Sequence, residues 1–202
     1  MTEKHIKNIT TFILFFLFIS CRQGDIRKTY YKSGKIESEF EYQNDKKNGE
    51  AIFYYENGEI QSELVYKNEQ LVGQAKFYDE NGDLQLEFNY DTQEAKEYTE
   101  GGKHYEIGKI ENNKKNGVWK EYITSDDHLM NEFTYVDDIK TGPCINYWSD
   151  GSGKIYSTGF FKLGTPDSVW TTYEKDGKIK WVEIWKASAD GKSSSSVRKN
   201  KY

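Results

Sequence analysis

The sequence repeats itself every 24 residues. Tyr30–Phe53 reads YYKSGKIESEFEYQNDKKNGEAIF, Tyr54–Phe77 reads YYENGEIQSELVYKNEQLVGQAKF, and a third copy begins at Tyr78. The same ungapped spacing relates a set of glycines and a set of tyrosines: Gly34, Gly58 and Gly82, then Tyr42, Tyr66 and Tyr90. A fixed period of this length indicates a repeat architecture, in which each unit buries its apolar side by stacking on its neighbours.

Each copy alternates between apolar and polar residues. In the first copy Ile36, Ser38, Phe40 and Tyr42 are interleaved with charged residues, and the next two copies keep that alternation. A period of two with one polar side is typical of an antiparallel sheet solvated on one face. The 16 tyrosines and 11 phenylalanines also favour strands. The sequence therefore predicts an all-β fold, an elongated and twisted antiparallel meander of tandem β-hairpins.

Asparagine–glycine pairs mark the expected turns. Asn57-Gly58 and Asn81-Gly82 predict two-residue type I′ turns, because both residue types tolerate a positive φ. Asn48-Gly49 and Asn116-Gly117 predict the turns at the other end of the unit.

The strict period ends after Tyr90. Residues 91–103 are polar and are interpreted as a degenerate repeat or a linker, whereas residues 104–186 return to a looser, Trp-rich form of the pattern. There Gly117-Val-Trp119 is echoed by Ser168-Val-Trp170. All five tryptophans lie in this second half, which we therefore expect to be the better packed one. The Ser- and Lys-rich residues 187–202 are predicted to be a disordered tail.

The first 20 residues have the pattern of a signal peptide. Lys4 and Lys7 precede the apolar run TFILFFLFIS at residues 11–20, which is shorter than the roughly 20 residues that span a bilayer. The run ends at Cys21, and Leu17–Cys21 resembles a bacterial lipobox, in which the cysteine is diacylated. This implies lipidation of Cys21, a tether over residues 21–29, and a lipid-anchored protein of the bacterial cell envelope, at the outer membrane and facing the periplasm or the surface. An uncleaved N-terminal anchor is the alternative.

The repeat itself resembles a known family. The block Tyr-Tyr-x-Asn-Gly-x-Ile-x-Ser-Glu-x-x-Tyr, followed by a Lys-Asn-Gly strand, is similar to the MORN-variant repeat of bacterial proteins of the YwqK-type antitoxin family. The resemblance covers residues 30–90 closely and 104–186 loosely. It implies a β-meander that serves as a scaffold or contacts proteins and lipids. Ala51 and Ala75 stand where that repeat has a tryptophan after the glycine.

The sequence carries no motif of a known catalytic site, cofactor site or metal site. Gly151-Ser-Gly153-Lys154 lacks the spacing of a phosphate-binding loop and is interpreted as a hairpin loop. His104 and His128 are interpreted as loop histidines, and Cys144 as a small buried residue. The chain is therefore predicted not to be an enzyme and to need no cofactor.

Glu39, Glu63 and Glu87 occupy one position of the repeat and form the patterned polar feature of the chain. They are interpreted either as a solvated face that prevents aggregation or as a docking surface for a basic protein. A net charge of −5 argues against nucleic acid as the partner.

These observations predict a membrane-anchored protein-binding module, and the family resemblance implies an antitoxin- or immunity-like role for it. The alternatives are a structural envelope scaffold and a carbohydrate-binding module that uses exposed Tyr and Trp side chains.

Overall fold

The computed structural model describes residues 24–190 and 194–199. Apart from one short 3-10 turn at Glu100–Gly102, the regular elements of these residues are strands of a single antiparallel sheet. The strands are β1 (Asp25–Tyr30), β2 (Ile36–Gln43), β3 (Lys46–Tyr54), β4 (Ile60–Lys67), β5 (Gln70–Leu71), β6 (Gln74–Tyr78), β7 (Leu84–Asn89), β8 (Glu94–Tyr98), β9 (His104–Glu111), β10 (Lys114–Ile123), β11 (Leu129–Val136), β12 (Ile139–Tyr147), β13 (Ile155–Lys162), β14 (Thr165–Tyr173), β15 (Ile179–Ala187) and β16 (Ser194–Lys199).

The order of strands in the sheet follows their order in the chain, and only the two-residue β5 lies off that path. Fifteen strands side by side, spaced about 4.8 Å apart, give a ribbon roughly 65–70 Å long. This confirms the prediction of an all-β meander of hairpins. Each strand contacts its sequence neighbours, so the stability of such an array is approximately a sum of local terms.

The turns differ from those expected at the asparagine–glycine pairs. At Asn57-Gly58 only the glycine has a positive φ, of 102°. The Gly58 amide donates to the Tyr55 carbonyl over 2.9 Å, and the Tyr55 amide donates to the Glu59 carbonyl over the same distance. This is a type I turn closed by a glycine bulge, so the type I′ prediction was wrong here. Asn57 is needed for its amide group, which donates to the Glu80 carbonyl in the following turn over 2.7 Å.

The type I′ turns lie at the opposite ends of the strands. Asn44 and Asp45, with φ of 52° and 60°, join β2 to β3, and equivalent two-residue turns join four later pairs of strands. Asn48-Gly49 lies inside β3 and Asn116-Gly117 inside β10, so the prediction of turns at these pairs was also wrong. Gly49 and Gly117 instead occupy bulges, at φ of 132° and 74°.

Residues 91–103 continue the meander as a shortened unit and do not form a linker. The bulge position recurs with positive φ through the array, at Gly49, Gly73, Gln93, Gly117, Gly142 and Ser168. The step from Gly73 to Gln93 is four residues shorter than the 24-residue step before it. In this unit the Gln93 amide closes the loop on the Asn89 carbonyl over 2.8 Å, and β8 pairs directly with β7. The deletion therefore removes a turn and leaves the sheet unbroken.

One face of the sheet, here called the inner face, carries the core. Across each hairpin a large side chain lies opposite a small one. Phe40 pairs with Ala51, Phe88 with Ala95, and Phe133 with Cys144. The small member of each of these pairs is at most 2% exposed.

Two pairs reverse this order of size. A Cβ placed on Gly108 would lie 2.3 Å from the Trp119 ring, and one placed on Gly159 would lie 2.2 Å from the Trp170 ring. Glycine is therefore required opposite each of these tryptophans, whereas alanine is small enough where the partner is Phe or Leu. At positions 51 and 75 the space that a tryptophan would fill is instead filled by a large side chain on the preceding strand.

The two ends of the chain complete the comparison with the sequence. Residues 194–199 pair with β15 as β16, which differs from the disordered tail expected over residues 187–202. Val197 lies opposite Ile184, and the open edge of β15 supplies the backbone partners that a polar composition alone does not reveal. The signal segment and Cys21 lie outside the described residues, so their assignment stays a prediction.

Candidate binding surface

Glu39, Glu63 and Glu87 lie on the face opposite the core, here called the outer face. They belong to one row that crosses the sheet through cross-strand partners: Lys28, Glu39, Ile52, Glu63, Lys76, Glu87 and Lys96. The three glutamates thus share the row with three lysines, of which Lys76 stands between Glu63 and Glu87. The sequence placed the glutamates correctly on one face, but it did not show that lysines lie beside them.

The row also uses its carboxylates for contacts within the sheet. Lys28 Nζ lies 2.8 Å from a carboxylate oxygen of Glu39, and the Tyr78 hydroxyl donates to Glu63 over 3.0 Å. The second contact recurs in a later unit, where the Tyr147 hydroxyl donates to Glu132 over 3.0 Å. Burial and this hydrogen bond raise the pKa of Tyr147 to about 12. These contacts reduce the charge that the row offers to a partner.

The next row of the outer face is more acidic. It contains Glu41 on β2, Glu50 on β3 and Glu94 on β8, and no lysine occurs in it before Lys109, the cross-strand partner of Glu94. Glu50 and Glu94 are exposed. Glu41 accepts a hydrogen bond from the backbone amide of Glu50 over 3.1 Å, which fixes the Glu41 carboxylate against β3.

The overall charge agrees with this arrangement. Residues 24–103 contain 10 Lys or Arg and 18 Asp or Glu, whereas residues 104–199 contain 14 of each. The acidic character of the chain is therefore concentrated in β1–β8, and on the outer face it is least compensated at Glu41 and Glu50, since Lys109 lies opposite Glu94.

A second acidic group lies on the inner face. Glu97, Glu106 and Glu121 are successive cross-strand partners on β8, β9 and β10. Lys115 bridges two of them, with Nζ 2.7 Å from Glu97 and 2.6 Å from Glu106. Burial lowers the pKa of Lys115, but its hydrogen bonds to Glu106 and Glu97 outweigh that effect and leave the pKa raised. The sequence could not reveal this group, because its members are 9 and 15 residues apart.

In the described part of the chain, His104, His128 and Cys144 form no metal site. Among the described residues no three His, Cys, Asp or Glu side chains are arranged to hold a metal ion. His104 Nδ1 lies 3.8 Å from Glu121, and His128 Nδ1 lies 2.7 Å from Asp126. The thiol of Cys144 is 2% exposed, and burial raises its pKa to about 11, so it carries no nucleophilic thiolate at neutral pH. Gly151–Lys154 lies in the β12–β13 loop, which the Trp148 amide closes on the Lys154 carbonyl over 2.9 Å.

Cations cover several of the aromatic side chains that a sugar would need. Lys115 lies 4.2 Å from the Trp119 ring centre, Lys175 lies 5.3 Å from that of Trp148, and Arg198 lies 4.8 Å from that of Trp181. These contacts stabilise the sheet, each by about 0.5–1 kcal/mol at an exposed site. At these three tryptophans a carbohydrate would compete with a cation for the ring face.

The array matches a known repeat family over its first units. Residues 26–44, 47–68 and 71–92 each match the family described as the MORN repeat variant. Repeats of this kind are often protein- or membrane-binding modules and are generally not catalytic. A search of curated proteins finds no match to the chain. Within residues 24–190 and 194–199 no helix is long and apolar enough to cross a membrane.

Proposed function

We propose that this protein is a protein-binding module held at the bacterial cell envelope by a lipid on Cys21, and that it binds a basic partner through the outer face of β2–β8. The supporting observation is the row of Glu41, Glu50 and Glu94, which lysines do not neutralise between β2 and β8. Glu39, Glu63 and Glu87 adjoin this row and add carboxylates to the same face. An immunity-like role is the sharper form of the proposal, with one basic protein bound in a one-to-one complex.

A sheet face suits this task because its backbone is fixed by hydrogen bonds to both neighbours. Glu41 and Glu50 lie on adjacent strands about 5 Å apart, and Glu94 lies four strands from Glu50, about 19 Å away. Because the sheet fixes these positions, binding requires little further ordering of the backbone. Exposed charges mainly speed encounter and orient the partner. Their effect is screened over about 8 Å at physiological ionic strength, so binding should weaken as salt is added.

The test is an in-cell formaldehyde crosslinking experiment on the full-length lipidated chain, followed by affinity recovery and mass spectrometry. We expect one stoichiometric basic partner with the wild type. The variant Glu41→Gln/Glu50→Gln/Glu94→Gln should recover it at least about tenfold less, because three charges are lost from the contact face. The Cys21→Ser variant should lose the partner if membrane placement is required for the encounter.

A second triple variant provides the matched control. Glu56→Gln/Glu80→Gln/Glu111→Gln removes the same charge from exposed side chains at turns and at a strand end. It should recover the partner as the wild type does. Equal losses in the two triple variants would show a general charge effect and overturn the proposal, as would recovery of no basic partner by the wild type.

A further inference from the structure

The outer face changes character along the array. On β2–β8 the two central rows carry charged residues at most positions, as described above. On β12–β15 the same two rows carry one charged residue, Asp167, which is the cross-strand partner of Phe160. Apart from Asp167, one row contains Ile145, Thr158, Thr171 and Val182, and the other contains Pro143, Phe160, Val169 and Ile184. Val197 on β16 extends the second row, and this set of nine residues is here called the apolar stripe.

The second row of the apolar stripe is open to solvent, whereas the four residues of the first row are half-buried. Phe160 is 39% exposed, Val169 54%, Ile184 40% and Val197 66%. Single exposed apolar residues are normal, but a continuous apolar patch is typical of an interface. The first half of the chain supplies an internal comparison, because Glu50 occupies the place in its unit that Val169 occupies in a later one. Both residues directly follow a positive-φ bulge residue, Gly49 and Ser168 respectively.

The apolar stripe is continuous with further apolar surface toward the middle of the array. Val118 on β10 is 52% exposed, and the cross-strand pair Val136 and Ile139 is 51% and 45% exposed. The surface from β10 to β16 spans seven strands and is about 34 Å wide, and two side chains per strand make it about 14 Å deep. Its first row includes three charged positions outside β12–β15, which are Lys120, Glu132 and Lys199, and Lys120 pairs with Glu132 over 3.9 Å. Two such surfaces in contact would bury roughly 1,000 Å², which is the lower limit for a specific interface.

We propose that the apolar stripe is the contact between two copies of this chain, packed face to face around a two-fold axis. The nine residues of the stripe carry no charge, and the one carboxylate beside them on β12–β15, Asp167, accepts hydrogen bonds from the Ala187 amide over 2.9 Å and from the Ser168 hydroxyl over 3.1 Å. Like-charge repulsion between two copies is therefore limited to that residue. The corresponding contact between β2–β8 surfaces would oppose glutamates to glutamates, which disfavours pairing there. Sheets that pack face to face keep their strands within about 30° of each other. The short β-branched side chains of Val169, Ile184 and Thr171 allow two such faces to pack closely.

The dimer uses residues that the proposed basic partner does not contact. The glutamates of β2–β8 remain exposed in it, so either proposal can fail without the other. An area close to the lower limit predicts a weak dimer, which confinement to a membrane would strengthen by raising the local concentration. That strengthening alone rests on the proposed anchor.

The experiment uses the full-length chain in its native membrane, with a single cysteine introduced by Val169→Cys and a short bismaleimide as crosslinker. Cys144 is buried and does not compete. Two differently tagged copies are expressed together, and each tag is used to recover the other. We expect a homodimer band at least tenfold stronger than with Glu50→Cys, the exposed matched position of the first half.

Charge substitutions test the contact itself. Both copies carry Phe160→Cys as the crosslinking site. One copy also carries Val169→Lys/Ile184→Lys, and the other carries Val169→Glu/Ile184→Glu. Each charged variant expressed alone should lose the homodimer band, and the mixed pair should regain it. Recovery in the mixed pair would show that the charged variants are folded and that only the contact between copies was lost. Crosslinking of Val169→Cys only to lipid or to another protein, equal bands at positions 50 and 169, or failure of the mixed pair to recover would each overturn the proposal.

Discussion

The exchange of large and small residues across the hairpins gives the most direct test of the fold. Trp119 is 1% exposed and fills the space left by the missing side chain of Gly108. Trp119→Ala removes this packing and should lower the free energy of unfolding by about 3–5 kcal/mol. It also removes the hydrogen bond from Trp119 Nε1 to the Lys109 carbonyl, at 3.2 Å, and the contact with Lys115.

Gly108→Phe alone should also destabilise the protein, because its side chain would enter space that the indole already fills. Overpacking of this kind costs about 1–3 kcal/mol or more. If the two sites were independent, the double variant Gly108→Phe/Trp119→Ala would lose roughly 4–8 kcal/mol. If they share one volume, it recreates the arrangement of Phe40 opposite Ala51 and should lose only about 2 kcal/mol.

Urea-induced unfolding followed by far-UV circular dichroism measures these differences. The slope of the transition must be compared as well as its midpoint, because a repeat array can unfold in more than one step. Gly108→Phe combined with Trp170→Ala is the matched control, since it pairs the same substitutions on strands that do not touch and should give additive losses. Additive losses in the Gly108/Trp119 pair as well would refute the shared-volume explanation.

Three further predictions concern strain, reactivity and pH. Ser168→Gly should raise the melting temperature by relieving a φ of 63°, a gain of up to about 1 kcal/mol, whereas Gly117→Ser at the equivalent bulge should lower it. In a Cys21→Ser protein, Cys144 should resist alkylation by iodoacetamide at pH 8 until urea unfolds the sheet, because burial raises the pKa of its thiol to about 11. Rapid labelling of the native protein would contradict the burial of Cys144. Burial, which is the main cause, raises the pKa of three tyrosines to about 12: Tyr105, Tyr135 and Tyr147. Because these folded-state values exceed the unfolded value near 10, their contribution to stability is complete below pH 10 and should be lost as the pH rises toward 12, and absorbance at 295 nm should show their late ionisation.

The period of the sequence was sufficient to predict the sheet, but the exact turns were not predictable from residue pairs. Asn57-Gly58 and Asn44-Asp45 both suit a turn, and the choice between turn types depends on which residue takes the positive φ. That choice depends in turn on tertiary contacts such as the hydrogen bond from Asn57 to the next turn. Gln93 shows the same limit, because a residue other than glycine at the bulge position concealed the shortened unit.

The candidate site was predicted only in part for a related reason. Alternation assigned Glu39, Glu63 and Glu87 to one face, since the side-chain period in a strand is fixed at two. Which residues stand beside them depends on the register between strands, and register is set by bulges that the repeat spacing does not display. Lys76 is the partner of both Glu63 and Glu87 because β6 lies between β4 and β7, and the sequence alone does not predict that register.

The two faces of the array are under different packing constraints. On the inner face every hairpin must fill the same volume, so Phe40 with Ala51 and Gly108 with Trp119 are two solutions to one packing requirement. The outer face has no such requirement, because a solvated sheet tolerates any polar side chain there. Yet Glu50 in one unit is replaced by Val169 in another, which leaves apolar surface in water without any gain to the core. Burial within the chain does not explain this change, which is why we propose two different contacts, one at the charged end and one at the apolar end of the outer face.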